Sequence, residues 1–124
     1  MSLIISVIPK DSIFIDTNVM EEQIRAPHNN SFGFESCRKT LWGIDLIREL
    51  GCEMIYSLKS MDIFVFDGEI EKLRNELLIL FDNLDIIKLH TIYDKDFIEF
   101  RIRNALEMIK VILEEKDKVG IAIW

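Results

Sequence analysis

The order of apolar and polar positions along the chain predicts a mixture of strands and helices. Apolar runs rich in β-branched residues, and stretches in which apolar and polar residues alternate, are typical of strands. A Pro-Lys-Asp-Ser turn separates the first two such segments, which predicts an N-terminal hairpin. The segments with a strand pattern are 3–8, 13–17, 52–58, 63–66, 86–93 and 119–124.

Three further segments, 35–50, 70–84 and 95–114, have apolar residues at helical spacing. Gly51 follows the first of them, where a left-handed C-terminal cap is expected. The predicted order of elements is ββαββαβαβ. This order favours an α+β fold in which about three helices pack on a single mixed β-sheet.

The length and composition indicate one folded domain spanning residues 1–124. The chain has 49% hydrophobic and 30% charged residues, with only 5 Gly and 2 Pro, which is not the composition of a disordered or repetitive protein. Its two cysteines, Cys37 and Cys52, have neither zinc-site spacing nor a disulfide framework and are expected in the core. The longest strictly apolar run, 77–81, is too short to span a bilayer, so we expect a cytoplasmic protein without membrane contact.

The balance of acidic and basic residues disfavours some classes of function and favours others. The chain carries 15 Lys and Arg against 22 Asp and Glu, a formal net charge of −7. General nucleic-acid binding needs clustered cations and is therefore disfavoured. An acidic surface suits a basic protein partner and speeds association with it. The sequence thus favours a small acidic binding protein, of the immunity or inhibitor type, over an enzyme. A homodimer formed by strand addition at 119–124 or at the first hairpin is a further option.

The segment 18–33 is the strongest candidate for the binding surface. Residues 19–25 have a weak helical pattern, and the rest of the segment shows no clear hydrophobic periodicity and is rich in turn-forming residues. Long loops of this kind are frequently functional. No motif in the chain assigns a catalytic residue, cofactor or metal on this interpretation. The candidate binding residues are Arg25, His28, Asn29, Asn30 and Ser31.

Three predicted strands end in an aspartate: Asp16, Asp67 and Asp94. If these strands were parallel neighbours, the carboxylates would meet at one edge of the sheet and hold a divalent cation. Alternatively, each carboxylate accepts backbone hydrogen bonds at the start of the next helix or turn, which is the commoner use of Asp at such positions.

The residues 13–20, with the sequence IFIDTNVM, resemble the opening of PIN-domain ribonucleases. In that family the first strand ends in a metal-binding Asp that is followed by Thr-Asn and an aliphatic pair. The resemblance implies an α/β/α sandwich in which Asp16 is a Mg²⁺ or Mn²⁺ ligand and activates water for attack on an RNA phosphodiester. Asp67 and Asp94 would complete the site. A metal-dependent ribonuclease is therefore the alternative to the binding protein.

Overall fold

The computed structural model of the chain describes residues 1–10 and 15–124. In this part of the chain four strands form one sheet in the order β2-β1-β4-β3, with all three pairings antiparallel. The predicted fold class, α+β with a single sheet, is confirmed, although the sheet is antiparallel and not mixed. The strands are β1 (Ser2–Pro9), β2 (Ser31–Phe34), β3 (Ile63–Val65) and β4 (Val119–Ile123).

The described residues contain more helices than the periodicity predicts, because several of them are very short. The two long helices, α4 and α6, confirm the helices predicted over 70–84 and 95–114. The helices are α1 (Thr17–Glu21), α2 (Asp45–Glu49), α3 (Glu53–Tyr56), α4 (Gly68–Phe81), α5 (Leu84–Lys88) and α6 (Lys95–Ile112). Single π-helical or 3₁₀ turns cover Arg38–Trp42, Ser57–Lys59 and Leu113–Glu115.

The core lies between one face of the sheet and the helices. Along β1 the side chains of Leu3, Ile5 and Val7 are buried while Ile4 is 36% exposed, which is the alternation expected of a strand with one covered face. Helix α6 packs across β1, β2 and β4 and also against α4. Its long apolar stripe therefore forms the centre of the second layer.

The strand predicted over 52–58 is wrong, since this segment forms α3 and a 3₁₀ turn. The fully buried side chains of Cys52, Ile55 and Leu58 recur at every third residue, which matches a helix and not a strand. The apparent alternation arises because the intervening Met54 and Tyr56 are also apolar and partly buried.

The strand predicted over 86–93 is wrong for a similar reason. Helix α5 covers its beginning and buries Leu84 and Ile87, three residues apart. Leu89 and Ile92 beyond the helix are 76% and 87% exposed, so they contribute nothing to a sheet.

The predicted helix over 35–50 is divided at Gly43. A Cβ at this position would overlap the carbonyl oxygen of Arg38 and would lie 2.6 Å from Cβ of Lys59, so the backbone passes too close for a side chain. The predicted left-handed cap is confirmed, since Gly51 has a φ of 91°.

Strand β1 pairs with β2 and β4. Residues 13 and 14, which begin the second strand of the predicted N-terminal hairpin, lie outside the described residues, and Asp16 is the N-cap of α1. Because β4 lies between β1 and β3, the segment 119–124 offers no open edge for strand addition.

Candidate functional site

A buried amide fixes the backbone of residues 28–31, the centre of the predicted binding segment. Asn104 of α6 is fully buried. Its Oδ1 accepts a hydrogen bond from the backbone N–H of Asn29 (3.1 Å), and its Nδ2 donates to Oδ1 of Asn29 (3.1 Å) and to the carbonyl oxygen of Ser31 (2.8 Å). The segment is therefore held from inside the core, as a preformed surface requires.

The same amide determines the tautomer of His28. Nδ1 of His28 lies 3.1 Å from Oδ1 of Asn104. Because Oδ1 of an amide only accepts, Nδ1 of His28 must carry the hydrogen. In the neutral ring Nε2 is then an acceptor. The ring also stacks on Phe100, with 5.4 Å between the ring centroids, so its orientation is fixed from two sides.

An open pocket of about 400 Å³ lies beside this segment. Two carboxylates, from Glu21 and Glu22 at the end of α1, form part of its wall, and His28 forms another part. Acceptors of this kind suit a ligand that carries hydrogen-bond donors and a positive charge. The lining residues are Asn18, Glu21, Glu22, Ile24, His28, Asn29 and Asn30.

The two carboxylates have different roles in the structure. Oε2 of Glu21 accepts a hydrogen bond from the backbone N–H of Val7 at 3.3 Å. This bond holds α1 against the part of β1 that follows the short pairing of β1 with β2. Glu22 is exposed. Glu21 therefore positions this wall of the pocket, and Glu22 is the carboxylate that is accessible to a ligand.

The structure brings three of the five predicted binding residues to this pocket. His28, Asn29 and Asn30 line it, while Ser31 begins β2 and contributes its carbonyl oxygen to the contact with Asn104. Arg25 lines a different open pocket of about 420 Å³, together with acidic and basic side chains of α6.

The three strand-end aspartates do not gather into a metal site. Oδ1 of Asp16 accepts from backbone N–H groups at the start of α1, and Oδ1 of Asp94 accepts from Phe97 N–H (2.8 Å) at the start of α6. Asp67 has a φ of 52° and pairs with Lys10 at 2.8 Å. Within residues 1–10 and 15–124, no three or more His, Cys, Asp or Glu side chains form a group suited to a metal ion.

The α/β/α sandwich implied by the resemblance to PIN-domain ribonucleases is also absent. The sheet in the described ranges is antiparallel, and its second face carries the exposed side chains of Phe64 and Trp124. The condition for the alternative metal site, parallel neighbouring strands that carry Asp16, Asp67 and Asp94 to one edge, is therefore not met.

Neither cysteine has the environment of a nucleophile. Both are buried and free. Burial, with a smaller contribution from Glu76, raises the pKa of the Cys52 thiol to about 12, so the reactive thiolate is suppressed at neutral pH.

Sequence reasoning missed Glu21, Glu22 and Asn104. One signal for Asn104 was present: it lies on the apolar stripe of α6, four residues after Phe100, where a polar residue needs a partner. No such signal marks Glu21 or Glu22, because their position in the pocket depends on how α1 docks against β1.

Comparison with protein families, curated proteins and solved structures finds no match to this chain. No helix within the described ranges has both the length and the apolar character needed to cross a membrane.

Proposed function

We propose that the chain is a small cytoplasmic binding protein, of the immunity or inhibitor type, that docks on a basic protein partner. The docking site is the pocket beside residues 28–31. One observation carries the proposal: the acidic pocket borders a segment whose backbone is fixed by the fully buried Asn104. A site that is ordered before binding loses little conformational entropy when the partner arrives.

The chemistry of the pocket supports a Lys or Arg side chain of the partner as the group that enters it. Glu22 offers an accessible carboxylate and Glu21 a second one, and His28 contributes a ring nitrogen to the same wall. The formal charge of −7 adds a long-range attraction for the same kind of partner.

A titration with an oligoarginine peptide tests the proposal. We expect the backbone amide signals of residues 21–30 to shift saturably in ¹H–¹⁵N NMR spectra, and an oligoglutamate peptide to leave them unchanged. Glu22→Gln should weaken the peptide affinity about threefold, the size of one partly exposed charge pair. Glu71→Gln removes an exposed carboxylate from α4, at the other edge of the sheet, and is the matched control.

Two results would contradict the proposal. One is a pattern of shifts spread over all acidic surfaces, without a maximum at residues 21–30. The other is an equal loss of affinity in Glu22→Gln and Glu71→Gln, because the peptide would then respond to net charge and not to the pocket.

A further inference from the structure

Arg101 of α6 lies in a cluster of aromatic side chains. Its guanidinium carbon is 4.3 Å from the ring centroid of Phe97 and 5.1 Å from that of Phe100. The Phe97 ring in turn stacks on Phe34 and Tyr93, with centroid distances of 5.8 and 4.8 Å. Cation–π contacts with these two rings restrict the orientation of the guanidinium.

Within residues 1–10 and 15–124, no hydrogen bond or ion pair joins Arg101 to an acceptor, although the chain has an excess of acids. In the described part of the chain its Nε is the only buried side-chain nitrogen or oxygen without a hydrogen-bond partner. Two other arginines have carboxylate partners: Arg38 with Glu35 and Asp62, each at 2.5 Å, and Arg103 with Glu99 at 3.2 Å.

The unpaired guanidinium is unfavourable in the free protein. Burial lowers the pKa of Arg101, and the opposing effect of Cys37 is smaller. In contrast, hydrogen bonds to Asp62 and Glu35 raise the pKa of Arg38 in spite of its own burial. An anion at the terminal nitrogens of Arg101 would supply the counter-charge that no carboxylate of the described residues provides.

We propose that Arg101 is the binding residue of an oxyanion site that takes a carboxylate or a phosphate group. Arg101 as a whole is only partly buried and Nε is its buried nitrogen, so the terminal Nη atoms are the ones that a ligand would contact. Two oxygens of a carboxylate or phosphate can accept two parallel hydrogen bonds from the N–H groups of one guanidinium. This site attracts the opposite charge to the acidic pocket, and it does not depend on the proposed function. The two sites flank Phe100, since His28 stacks on the same ring.

NMR of the arginine Nε–Hε groups tests the site directly. At neutral pH, sodium acetate and sodium phosphate are each added to the protein, with sodium chloride at matched ionic strength as the reference. We expect a saturable shift of the Arg101 signal in the millimolar range and none for Arg103, which lies on the same helix and has its own carboxylate partner. A stronger response to acetate identifies a carboxylate ligand, and a stronger response to phosphate identifies a phosphate ligand.

Substitution separates a binding role from a packing role. Arg101→Lys keeps the charge but loses the planar fork, so the affinity for the better anion should fall about fivefold while Arg103→Lys leaves it unchanged. An equal shift with chloride, an equal response of Arg103, or no saturable shift would overturn the proposal. If Arg101→Lys does not fold, the comparison of the Arg101 and Arg103 signals in the natural chain decides alone.

Discussion

Two polar side chains of α6, Asn104 and Arg101, lie one turn apart and differ in how their hydrogen bonds are satisfied. Asn104 bonds to residues 73 to 76 positions away in the sequence, and both its oxygen and its nitrogen are used. Arg101 has a buried donor with no partner. A buried polar group with every bond satisfied stabilises a unique local structure, whereas an unsatisfied one is unfavourable for the folded state.

The role of Asn104 predicts a large loss of stability when its amide is removed. Asn104→Ala leaves the N–H of Asn29 and the carbonyl of Ser31 without their partner and opens a cavity beside α6. We expect the free energy of unfolding, measured by urea denaturation, to fall by about 3 kcal/mol. The control Asn75→Ala, on the exposed face of α4, should change it by less than about 0.5 kcal/mol. Equal effects of the two variants would show that the amide does not hold the segment.

At the scale of the element, α3 depends on a neighbouring helix for its N-terminal cap. It has only 4 residues and no side-chain cap of its own. The carboxylate of Glu76 in α4 accepts from the N–H groups of Met54 (3.2 Å) and Ile55 (2.9 Å). Because so short a helix is unstable in isolation, this contact and the buried Ile55 hold it in place.

The cap made by Glu76 predicts a pH dependence of stability. Burial raises the pKa of Glu76 above the ordinary value of a glutamate, although the backbone hydrogen bonds of Ile55 and Met54 act in the opposite direction. The folded state therefore binds this proton more tightly than the unfolded state. The resulting stabilisation is complete below the unfolded pKa and is lost as the pH rises through the folded pKa.

A comparison with Glu76→Gln isolates this effect, because Gln cannot titrate. The free energy of unfolding of the natural chain should fall relative to that of Glu76→Gln as the pH rises from about 4 towards neutrality. Urea denaturation at a series of pH values measures the difference, and Glu71→Gln controls for the loss of one charge on the same helix. A natural chain that instead gains stability over Glu76→Gln across this range would contradict the prediction.

The sequence predicts the elements that are long or strongly periodic, namely β1, β4, α4 and α6, and also the short apolar strand β3. It does not predict α3 and α5, since helices of 4 or 5 residues make too few turns for their period to differ from that of a strand. The strand β2 is missed because only pairing with β1 makes its 4 residues a strand.

The residues of the candidate site likewise fall into those that the sequence predicts and those that it does not. Turn-forming residues marked the segment that contains His28, Asn29 and Asn30, and these three line the pocket. The carboxylates of Glu21 and Glu22 join them only through the packing of α1, which no local pattern encodes. Similarly, the sequence shows Asp16 and Asp94 but not whether they converge, and the antiparallel sheet sends them to separate helix starts.

At the scale of the whole molecule, charge acts on a partner in two ways. The net charge of −7 produces a field that attracts a cation before contact, and this field fades over a Debye length of about 8 Å at physiological salt. On the proposed function, the pocket would act only after contact, through direct hydrogen bonds to the bound group. The first effect changes mainly the association rate, and the second changes mainly the dissociation rate.

Stopped-flow kinetics with a fluorescent oligoarginine peptide should separate these effects. We expect Glu71→Gln, on a helix that packs against the distant edge strand β3, to lower the association rate at low salt by about twofold and to have no effect at high salt. We expect Glu22→Gln to raise the dissociation rate and to retain that effect at high salt, because a direct contact is screened less than a distant charge. If salt abolished both differences equally, the peptide would be held by the overall field, and the pocket would contribute no specific contact.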